Sequence, residues 1–328
     1  MRAPGFWYRR PGLISALLAP LAVVWKFGHH RRMRKPGYRA AIPVICIGNL
    51  TVGGTGKTPV TIAIIQMLME MGVAPVALSR GYGGQLRGPL QVDPATHTAS
   101  DTGDEPLLLS AFAPTWISAD RAAAARALEA GTAALSPDMI IMDDGHQNPD
   151  LIKDVSMIVI DAETGFGNGR VLPAGPLREP VAGGLERADL AIVIGRAAAR
   201  AAFLADADLK VPVVEAELLP LETGIDWAGQ KVVAFAGIGR PEKFFATLRD
   251  LGADIVATHG FGDHAEFGRE ILTRMAAEAR AANAQLVTTE KDAVRLPDAF
   301  RREVITLPVR AHFIDDAPLR QVLDRVLG

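Results

Sequence analysis

The chain has 328 residues, of which 49 % are hydrophobic, and its formal net charge is −2. This length fits one large α/β domain or two lobes rather than one small domain. The near-neutral charge gives no argument for a nucleic-acid partner. The single cysteine, Cys46, excludes a disulfide framework and indicates a buried structural thiol.

The first 40 residues combine an uncharged segment with a basic cluster. Residues 11–25, PGLISALLAPLAVVW, carry no charge, and Arg and Lys residues flank them on both sides. This stretch is shorter than the roughly 20 apolar residues of a transmembrane helix, and a basic cluster stands where a signal-peptide cleavage site would lie. The pattern favours a helix that lies in a membrane interface with anionic lipids. A transmembrane anchor and plain packing on the protein body are the alternatives.

From residue 41 to 207, short apolar runs alternate with helical patterns, which predicts an α/β core with a parallel sheet and helices on both faces. The predicted strands are 42–47, 74–79, 115–118, 138–143, 156–161 and 189–194. A second set of elements at 231–328 predicts a smaller α/β lobe, with helices at 241–251 and 265–282 and a strand in EVITLPV (303–309). Residues 208–230 are predicted to connect the two lobes.

Residues 49–60, NLTVGGTGKTPV, lie between a predicted strand and a predicted helix. They match the phosphate-binding pattern G-x-x-x-x-G-K-[ST], except that Thr51 occupies the first glycine position. Glycines let backbone N–H groups turn toward a phosphate, and the helix N-terminus adds its positive end. The motif therefore predicts a P-loop NTPase-type core in which Lys57 reaches the β- and γ-phosphates of ATP and Thr58 ligates Mg²⁺. The predicted nucleotide-binding residues are Thr51, Val52, Gly53, Gly54, Thr55, Gly56, Lys57 and Thr58.

Partition-type ATPases are one rival class with a similar loop. They carry a second lysine just before the glycine pair, and that position is Val52 here. A membrane-associated P-loop switch of this type therefore stays a minor alternative to a kinase.

Two carboxylates stand at the end of the predicted strand 138–143. Asp143 and Asp144 end this predicted strand, at the edge of the sheet where the phosphate loop also lies. One of them is expected to hold Mg²⁺ as a Walker B aspartate does. The alternative is a plain turn, because Asp-Asp-Gly is also good turn chemistry.

Two further segments contain candidates for acid–base chemistry. Asp104 and Glu105 begin a predicted helix, where acids commonly serve only as partners of the helix dipole. Asp263 and His264 lie in a predicted loop of the second lobe, where a His-Asp pair is commonly structural or solvated. Pattern alone leaves both roles open.

Taken together, these segments resemble the tetraacyldisaccharide 4'-kinase family, which phosphorylates the lipid A disaccharide precursor of Gram-negative bacteria. The matching segments run in family order across nearly the whole chain: IGNLTVGGTGKTP (47–59), SRGYGG (79–84), GDEPLLL (103–109), ADR (119–121), DDGHQ (143–147), FGNGRVLPAGPLREP (166–180), FAGIGRPEKFF (235–245), FGDH (261–264) and TTEKDAVRL (288–296).

The resemblance implies a P-loop core lobe, a smaller α/β lobe on a two-stranded linker, and an N-terminal helix on the cytoplasmic face of the inner membrane. It implies that Asp104 pairs with His264 to activate the acceptor hydroxyl and that Lys57 acts on the phosphates. The implied magnesium shell is Thr58, Asp143, Asp144 and Glu179, and the implied substrate contacts are Tyr82, Glu105, Arg121, Gln147 and Arg178. The expected partners are an acylated glucosamine disaccharide phosphate and an anionic membrane surface, with no nucleic acid and no evident protein partner.

Two positions depart from the family pattern. Asn148 stands where the family usually has histidine, so no titrating role is carried over to it. Gly84 stands where the family usually has arginine, so a basic contact is expected to be missing there.

Overall fold

The computed structural model describes residues 3–131, 136–263 and 265–327. Its strands form one sheet of nine strands, in the order β13-β8-β7-β6-β1-β5-β2-β4-β3, and one of four, in the order β10-β9-β11-β12. The strands are β1 (Val44–Gly48), β2 (Pro75–Ser79), β3 (Leu90–Gln91), β4 (Thr115–Ile117), β5 (Met139–Asp143), β6 (Val155–Asp161), β7 (Leu190–Ile194), β8 (Val213–Pro220), β9 (Lys231–Ala236), β10 (Asp254–Gly260), β11 (Gln285–Thr289), β12 (Val304–Leu307) and β13 (Val309–Phe313).

The α-helices are α1 (Leu13–Leu17), α2 (Ala19–Met33), α3 (Lys57–Glu70), α4 (Ala99–Thr102), α5 (Asp104–Leu109), α6 (Arg121–Glu129), α7 (Val181–Leu185), α8 (Ala197–Asp206), α9 (Pro241–Asp250), α10 (Arg269–Ala281), α11 (Glu290–Ala293), α12 (Asp298–Arg301) and α13 (Ala317–Leu327). A 3₁₀ turn at Gly5–Tyr8 precedes α1.

The large sheet confirms the predicted α/β fold class. Its seven central strands, from β8 to β4, are parallel, and only the edge strands β13 and β3 pair antiparallel. The central strands β1, β5 and β6 are buried along their whole length, as expected for apolar runs covered by helices on both faces. Cys46 of β1 lies in this core, and burial raises the pKa of its thiol to about 11, so it is an inert packing residue.

The strand order places the carboxyl ends of β1 and β5 side by side. The two strands pair in parallel, with Ile47 of β1 opposite Asp143 of β5. Strand β6 lies on the other side of β1, so the order in which successive strands are added to the sheet reverses direction at β1, although all these strands are parallel. Ligands of open α/β sheets bind at such a reversal, outside the carboxyl ends of the strands.

The smaller sheet is joined to the large one by two passages of the chain. The chain leaves the large sheet after β8 and returns to it at β13, and these two strands pair with each other. Residues from both the predicted connecting segment and the predicted C-terminal lobe thus contribute strands to the large sheet. The strand predicted in residues 303–309 is β12 of the small sheet, and Pro308 separates it from β13 of the large one.

The N-terminal helices lie against the segment 166–179 of the core. Trp7, Ser15 and Trp25 each donate a side-chain hydrogen bond to a backbone carbonyl of this segment. Several apolar side chains of the same helices nevertheless face solvent: Leu13, Ile14, Leu17, Leu21, Val23, Val24, Trp25 and Phe27. Among the residues that the structure describes, no helix has the length and apolar character required to cross a membrane.

Candidate active site

The glycine-rich loop, residues 51–58, connects β1 to α3. Gly53 and Gly56 have φ angles of 110° and 83°, in the left-handed region that favours glycine. The buried Thr55 hydroxyl accepts a hydrogen bond of 3.1 Å from Asn49 Nδ2. The backbone at Gly53 and Gly54 is exposed, so the loop is anchored at a buried side chain while its glycine backbone stays accessible to a ligand.

The first residues of this loop are held by the segment 176–177. The Val52 N–H donates to the Pro176 carbonyl at 2.8 Å, and Thr51 forms a β-bridge with Leu177. The loop and the residues leading to Arg178 and Glu179 therefore form one connected backbone structure.

Lys57 opens α3, with its side chain only 9 % exposed. Its Nζ lies 3.6 Å from Asp144 Oδ1, and Arg178 Nη1 donates to the same oxygen at 2.8 Å. Asp144 has a φ of 51°, which is uncommon outside glycine and best tolerated by Asn, Asp and His. Burial acts to raise the pKa of Asp144, but the charges of Lys57 and Arg178 outweigh it and hold this pKa well below its usual value. Asp144 is therefore ionised between two cations.

Asp143, the last residue of β5, is almost fully buried beside α3. Its Oδ1 accepts a hydrogen bond from the Thr61 hydroxyl at 3.2 Å, whereas its buried Oδ2 has no hydrogen-bond partner among the described residues. Burial, followed by the charge of Glu105, raises the pKa of Asp143 to about 7. An unpartnered buried carboxylate oxygen at this position fits a hard cation such as Mg²⁺.

A Mg²⁺ ion at this position would not need to take all of its ligands from the protein. Within the described ranges, no three His, Cys, Asp or Glu side chains group into a metal site. Mg²⁺ is commonly held by one or two carboxylates together with substrate phosphates and water. Thr58, Asp143 and Asp144 supply oxygen donors of the right kind at one edge of the sheet.

Glu179 lies in a buried cluster that reaches from the core to the N-terminal helix. Its Oε1 accepts from Gln147 Nε2 at 2.9 Å, while its Oε2 accepts from Arg187 at 2.6 Å and lies 3.2 Å from His29 Nε2. Burial acts to raise the pKa of Glu179, yet these hydrogen bonds lower it to about 2. Gln147 also donates to the Asn49 carbonyl at 2.8 Å. Metal binding by Glu179 would have to replace one of these protein donors.

The predicted base Asp104 and its neighbour Glu105 begin α5 and meet cations from the second lobe. Arg295 Nε lies 3.7 Å from Asp104 Oδ2, and both side chains are buried. Glu105 Oε1 accepts from Lys291 Nζ at 2.9 Å. His264 lies outside the described residues, so its pairing with Asp104 stays a prediction.

The second lobe also approaches the glycine-rich loop directly. A Cβ on Gly239 would lie 3.2 Å from the Gly54 nitrogen, so only glycine permits this approach without displacing the loop. Next to it, Arg240 and Lys243 bind the carboxylate of Asp161, the last residue of β6. Residues 237–243 therefore contact both the loop that follows β1 and the carboxyl end of β6.

Two of the predicted substrate contacts differ in accessibility. Tyr82 is 67 % exposed, whereas Arg121 is 2 % exposed and donates to the Ser118 carbonyl at 2.5 Å. Burial lowers the pKa of Arg121 to about 10, against the opposing charge of Asp143. Arg121 Nε is buried without a hydrogen-bond partner in the described part of the chain, so this guanidinium has capacity for another acceptor.

The two departures from the family pattern have local structural roles. Asn148 caps a turn, because its side chain donates to Asp150 Oδ2 and accepts from the Asp150 N–H, both at 3.0 Å. A Cβ on Gly84 would lie 2.5 Å from the Asp101 carbonyl oxygen, so the loop leaves no room for a side chain there.

Several residues that contact the site were not predicted from the sequence: Asn49, Thr61, Asp161, Arg187, Arg240, Lys243, Lys291, Asp292 and Arg295. Thr61 is four residues after Lys57, so helical spacing could have placed it on the same face. The lysines and arginines of the second lobe stand in segments that match the family pattern, but the pattern assigned no role to them. Only the packing of the two lobes shows what they contact.

The fold and the site together define an α/β enzyme of phosphoryl transfer, with a glycine-rich loop, a buried lysine and a carboxylate pair beneath a second lobe. The family model described as "Tetraacyldisaccharide-1-P 4'-kinase" matches residues 14–328. The chain therefore belongs to the tetraacyldisaccharide-1-P 4'-kinase family.

Relatives agree with this assignment over the full chain. A tetraacyldisaccharide 4'-kinase of Dinoroseobacter shibae is 53 % identical over 331 residues, covering 99 % of this chain and 97 % of that protein. One of a Jannaschia species is also 53 % identical and covers all of both chains. The partition-type ATPase alternative receives no support.

The fold is also similar to a solved structure. The crystal structure of an "apo" form of LpxK from Aquifex aeolicus, in complex with ATP, superposes with a TM-score of 0.77 at 24 % identity. It covers 96 % of this chain and 100 % of that one. This similarity supports the two-sheet architecture.

Proposed function

We propose that the chain transfers the γ-phosphate of ATP to the 4'-hydroxyl of a tetraacyldisaccharide 1-phosphate, a step of lipid A biosynthesis. The observation that carries this proposal is the arrangement of Lys57, Asp144 and Arg178 at the adjoining ends of β1 and β5. It places two cations and a carboxylate where a P-loop would hold a nucleotide phosphate.

In the proposed reaction, the glycine-rich loop binds the phosphates through its backbone N–H groups, and Lys57 stabilises the charge that grows on the transferred phosphoryl group. Asp104, paired with His264, accepts the proton of the sugar hydroxyl and orients its oxygen for in-line attack. Arg121, Gln147, Arg178, Glu105 and Tyr82 position the two substrates. Most of the acceleration comes from positioning and electrostatics, because phosphoryl transfer requires little covalent participation by the protein.

Mg²⁺ fits this site because Asp143 has a buried oxygen without a partner in the described residues, beside Asp144 and the helix of Thr58. These three residues would hold the cation, which would neutralise charge on the nucleotide phosphates. Glu179 would support the site through Gln147 and would contact the cation only by exchanging a protein donor.

The proposed location is the cytoplasmic face of the inner membrane. The exposed apolar side chains of α1 and α2, together with the basic residues Arg31, Arg32, Arg34 and Lys35, suit the interface of a bilayer with anionic lipids. The acceptor itself is an acylated lipid, so a docked enzyme would meet it at the surface of the bilayer.

The decisive experiment is a transfer assay with γ-labelled ATP and the disaccharide lipid in mixed micelles. Label should move to the lipid, and ATP should be consumed only when the acceptor is present. Acceptor-independent hydrolysis without labelled lipid would instead indicate a nucleotide switch. Replacing the disaccharide with an acylated monosaccharide phosphate tests whether the second sugar is required.

A further inference from the structure

Arg295 connects the second lobe to the predicted catalytic base. It follows α11, which packs against α5, the helix that begins with Asp104. The Arg295 side chain is 8 % exposed and the Asp104 side chain 3 %, with 3.7 Å between Nε and Oδ2. The contact joins residues 191 positions apart, 295 − 104, so it depends on how the two lobes pack.

The other nitrogens of the Arg295 guanidinium hold two loops of the second lobe. Nη1 donates to the Ala265 carbonyl at 2.8 Å, and Nη2 donates to the Gly237 carbonyl at 2.9 Å. The guanidinium carbon also lies 5.1 Å from the centre of the Phe267 ring. Because the group is planar, its donors point in fixed directions, and moving one contact disturbs the others.

Both loops lead to the site. Gly237 begins the turn in which Gly239 lies against Gly54 of the glycine-rich loop. Ala265 follows the segment that contains Asp263, whose carboxylate lies 3.7 Å from Lys291 Nζ. Arg295 is therefore a common partner of the base and of two backbone segments that enclose the phosphate-binding region.

Asp292 also binds the guanidinium, at the nitrogen that donates to Gly237. Its buried carboxylate accepts from Arg295, from the Gly237 N–H at 3.0 Å and from the Thr289 hydroxyl at 2.6 Å. A buried ion pair of this kind is weak evidence for stability, because apolar replacements of similar volume are often equally stable. Stability alone therefore does not account for the fixed position of the Arg295 guanidinium, whereas a role in orienting the nearby Asp104 carboxylate does.

We propose that Arg295 is a positioning residue for phosphoryl transfer, which sets the orientation of the Asp104 carboxylate through their ion pair and couples it to the turn at 237–239 and to the backbone at Ala265. This inference rests on the proposed kinase function. Arg295 does not touch either substrate in this role. It acts through Asp104 and through the second-lobe backbone, so its loss misplaces the base relative to the phosphate-binding loop.

The test compares Arg295→Gln with Arg295→Lys and with a matched control, Arg301→Gln. Arg301 also donates to carbonyls around α11, those of Ala293 and Leu296, but it has no contact with Asp104 among its described interactions. Arg295→Gln should lower kcat about 10- to 100-fold, the scale of a misplaced reacting group, with KM for ATP changed less than about threefold. Arg301→Gln should stay near wild type. Arg295→Lys should recover little of the lost kcat, since lysine keeps the positive charge but lacks the planar guanidinium that donates in several fixed directions.

A double-mutant cycle with Asp104→Asn separates positioning from general structural damage. If Arg295 acts through Asp104, Arg295→Gln should add less than about a twofold loss in the Asp104→Asn background. Multiplicative losses, full recovery by Arg295→Lys, or wild-type turnover of Arg295→Gln would each overturn the inference. Circular dichroism and thermal melting verify folding, and Arg295→Lys enters the cycle if Arg295→Gln melts early. Absence of transfer by the wild type would refute the proposed function instead.

Discussion

Lys57 Nζ lies 3.6 Å from Asp144 Oδ1, and this pair joins the first turn of α3 to the end of β5. Both residues stand at the carboxyl edge of the sheet, where Arg178 binds the same carboxylate. In the free protein, Asp144 offsets the charge of the lysine and holds its long side chain in place. In the proposed function, the ammonium group would thereby be positioned before ATP binds, which would reduce the reorganisation required during transfer.

Replacing Lys57 should therefore separate catalysis from folding. Lys57→Ala is expected to lower turnover by two or more orders of magnitude, because it removes one electrostatic contact to the charge that develops on the phosphates. Lys210→Ala, on an exposed surface lysine paired with Asp208, is the matched control. Circular dichroism should match wild type in both variants. A turnover of Lys57→Ala within about threefold of wild type, far below that scale, would reject the assignment of this loop.

The proposed Asp104–His264 pair predicts non-additive losses. Asp104→Asn and His264→Ala should each slow transfer strongly, and the double variant should be little worse than the poorer single one, because groups that act as one unit are lost together. Single-turnover kinetics at saturating ATP measures the chemical step. Fully multiplicative losses would show that the two residues act independently.

Replacing Asp143 with asparagine should lower the transfer activity without lowering the stability of the protein. Burial raises the pKa of Asp143 to about 7 in the folded protein, whereas the value in the unfolded chain is 3.8. In the metal-free protein, the free energy of unfolding therefore falls as the pH rises from 3.8 to about 7, because the unfolded chain loses this proton more readily. Asp143→Asn keeps an acceptor for Thr61 and removes this charge. At pH 8, without Mg²⁺ and ATP, the variant should melt at the same or a higher temperature than wild type, while its transfer activity falls by about two orders of magnitude. A clearly lower melting temperature with activity retained would contradict the assigned role.

His146 predicts a loss of stability in mild acid. It is buried, with Nδ1 at 2.8 Å from the Ser156 hydroxyl and Nε2 at 3.0 Å from the Gly184 carbonyl, and burial lowers its pKa to about 4. Since the folded pKa lies below the unfolded value of 6.5, the contribution of His146 is present above pH 6.5 and is lost as the pH falls toward 4. Between pH 7 and pH 5 this loss amounts to about 2 kcal/mol.

Urea unfolding at pH 7 and pH 5 measures this contribution. Glu179, whose pKa is about 2 in the folded protein and 4.5 in the unfolded chain, loses its contribution mainly below this window, so the two groups can be separated. Asp143, whose raised pKa of about 7 makes the protein less stable as the pH rises through the same window, opposes this change, so the comparison is made in the Asp143→Asn background. In that background, His146→Gln should reduce the difference between the two pH values by most of that amount. An unchanged difference would show that other groups govern the acid sensitivity.

The central strands were predictable because they are buried on both faces and read as continuous apolar runs. The six predicted strands of the core correspond to β1, β2, β4, β5, β6 and β7, with bounds within two residues. Strand β8 was missed since Glu215 and Glu217 interrupt its apolar pattern, and the structure shows that both bind the buried Arg200. β8 lies between the edge strand β13 and β7, and its short alternation of apolar residues and glutamates is too weak a signal to distinguish it from a connecting segment.

The site was predictable to the extent that its residues form local motifs. The glycine-rich loop and the Asp143–Asp144 pair stand out by spacing and by their position after strands. The contacts of Arg295 and Lys291 with α5 could not be derived from the sequence, because they depend on the packing of two lobes. Such charged residues are more often on the surface, so only burial and distance single them out here.

The last prediction concerns the exposed apolar side chains of the N-terminal helices. Deleting residues 1–28 should release the protein from anionic vesicles, because it removes both the apolar face and part of the basic cluster. The same deletion removes the bonds of Trp7, Ser15 and Trp25 to the segment 166–179, which leads to Arg178. A substitution confined to exposed residues is therefore the cleaner test, and Leu17, Leu21 and Phe27 are 71 %, 55 % and 71 % exposed.

The triple serine variant at positions 17, 21 and 27 should co-sediment less with anionic vesicles and should show a larger increase in KM for the lipid than for ATP. Its glycine-rich loop and Asp104 are untouched, so ATP binding should survive. The control carries serine in place of Leu219, Val256 and Ile314, which are exposed elsewhere on the surface. Vesicle binding of the wild type should weaken in high salt, because the share from basic residues is screened. Undiminished pelleting of both the triple variant and the deletion would identify the segment as core packing, and wild-type protein that resists both salt and carbonate extraction would identify it as an integral anchor.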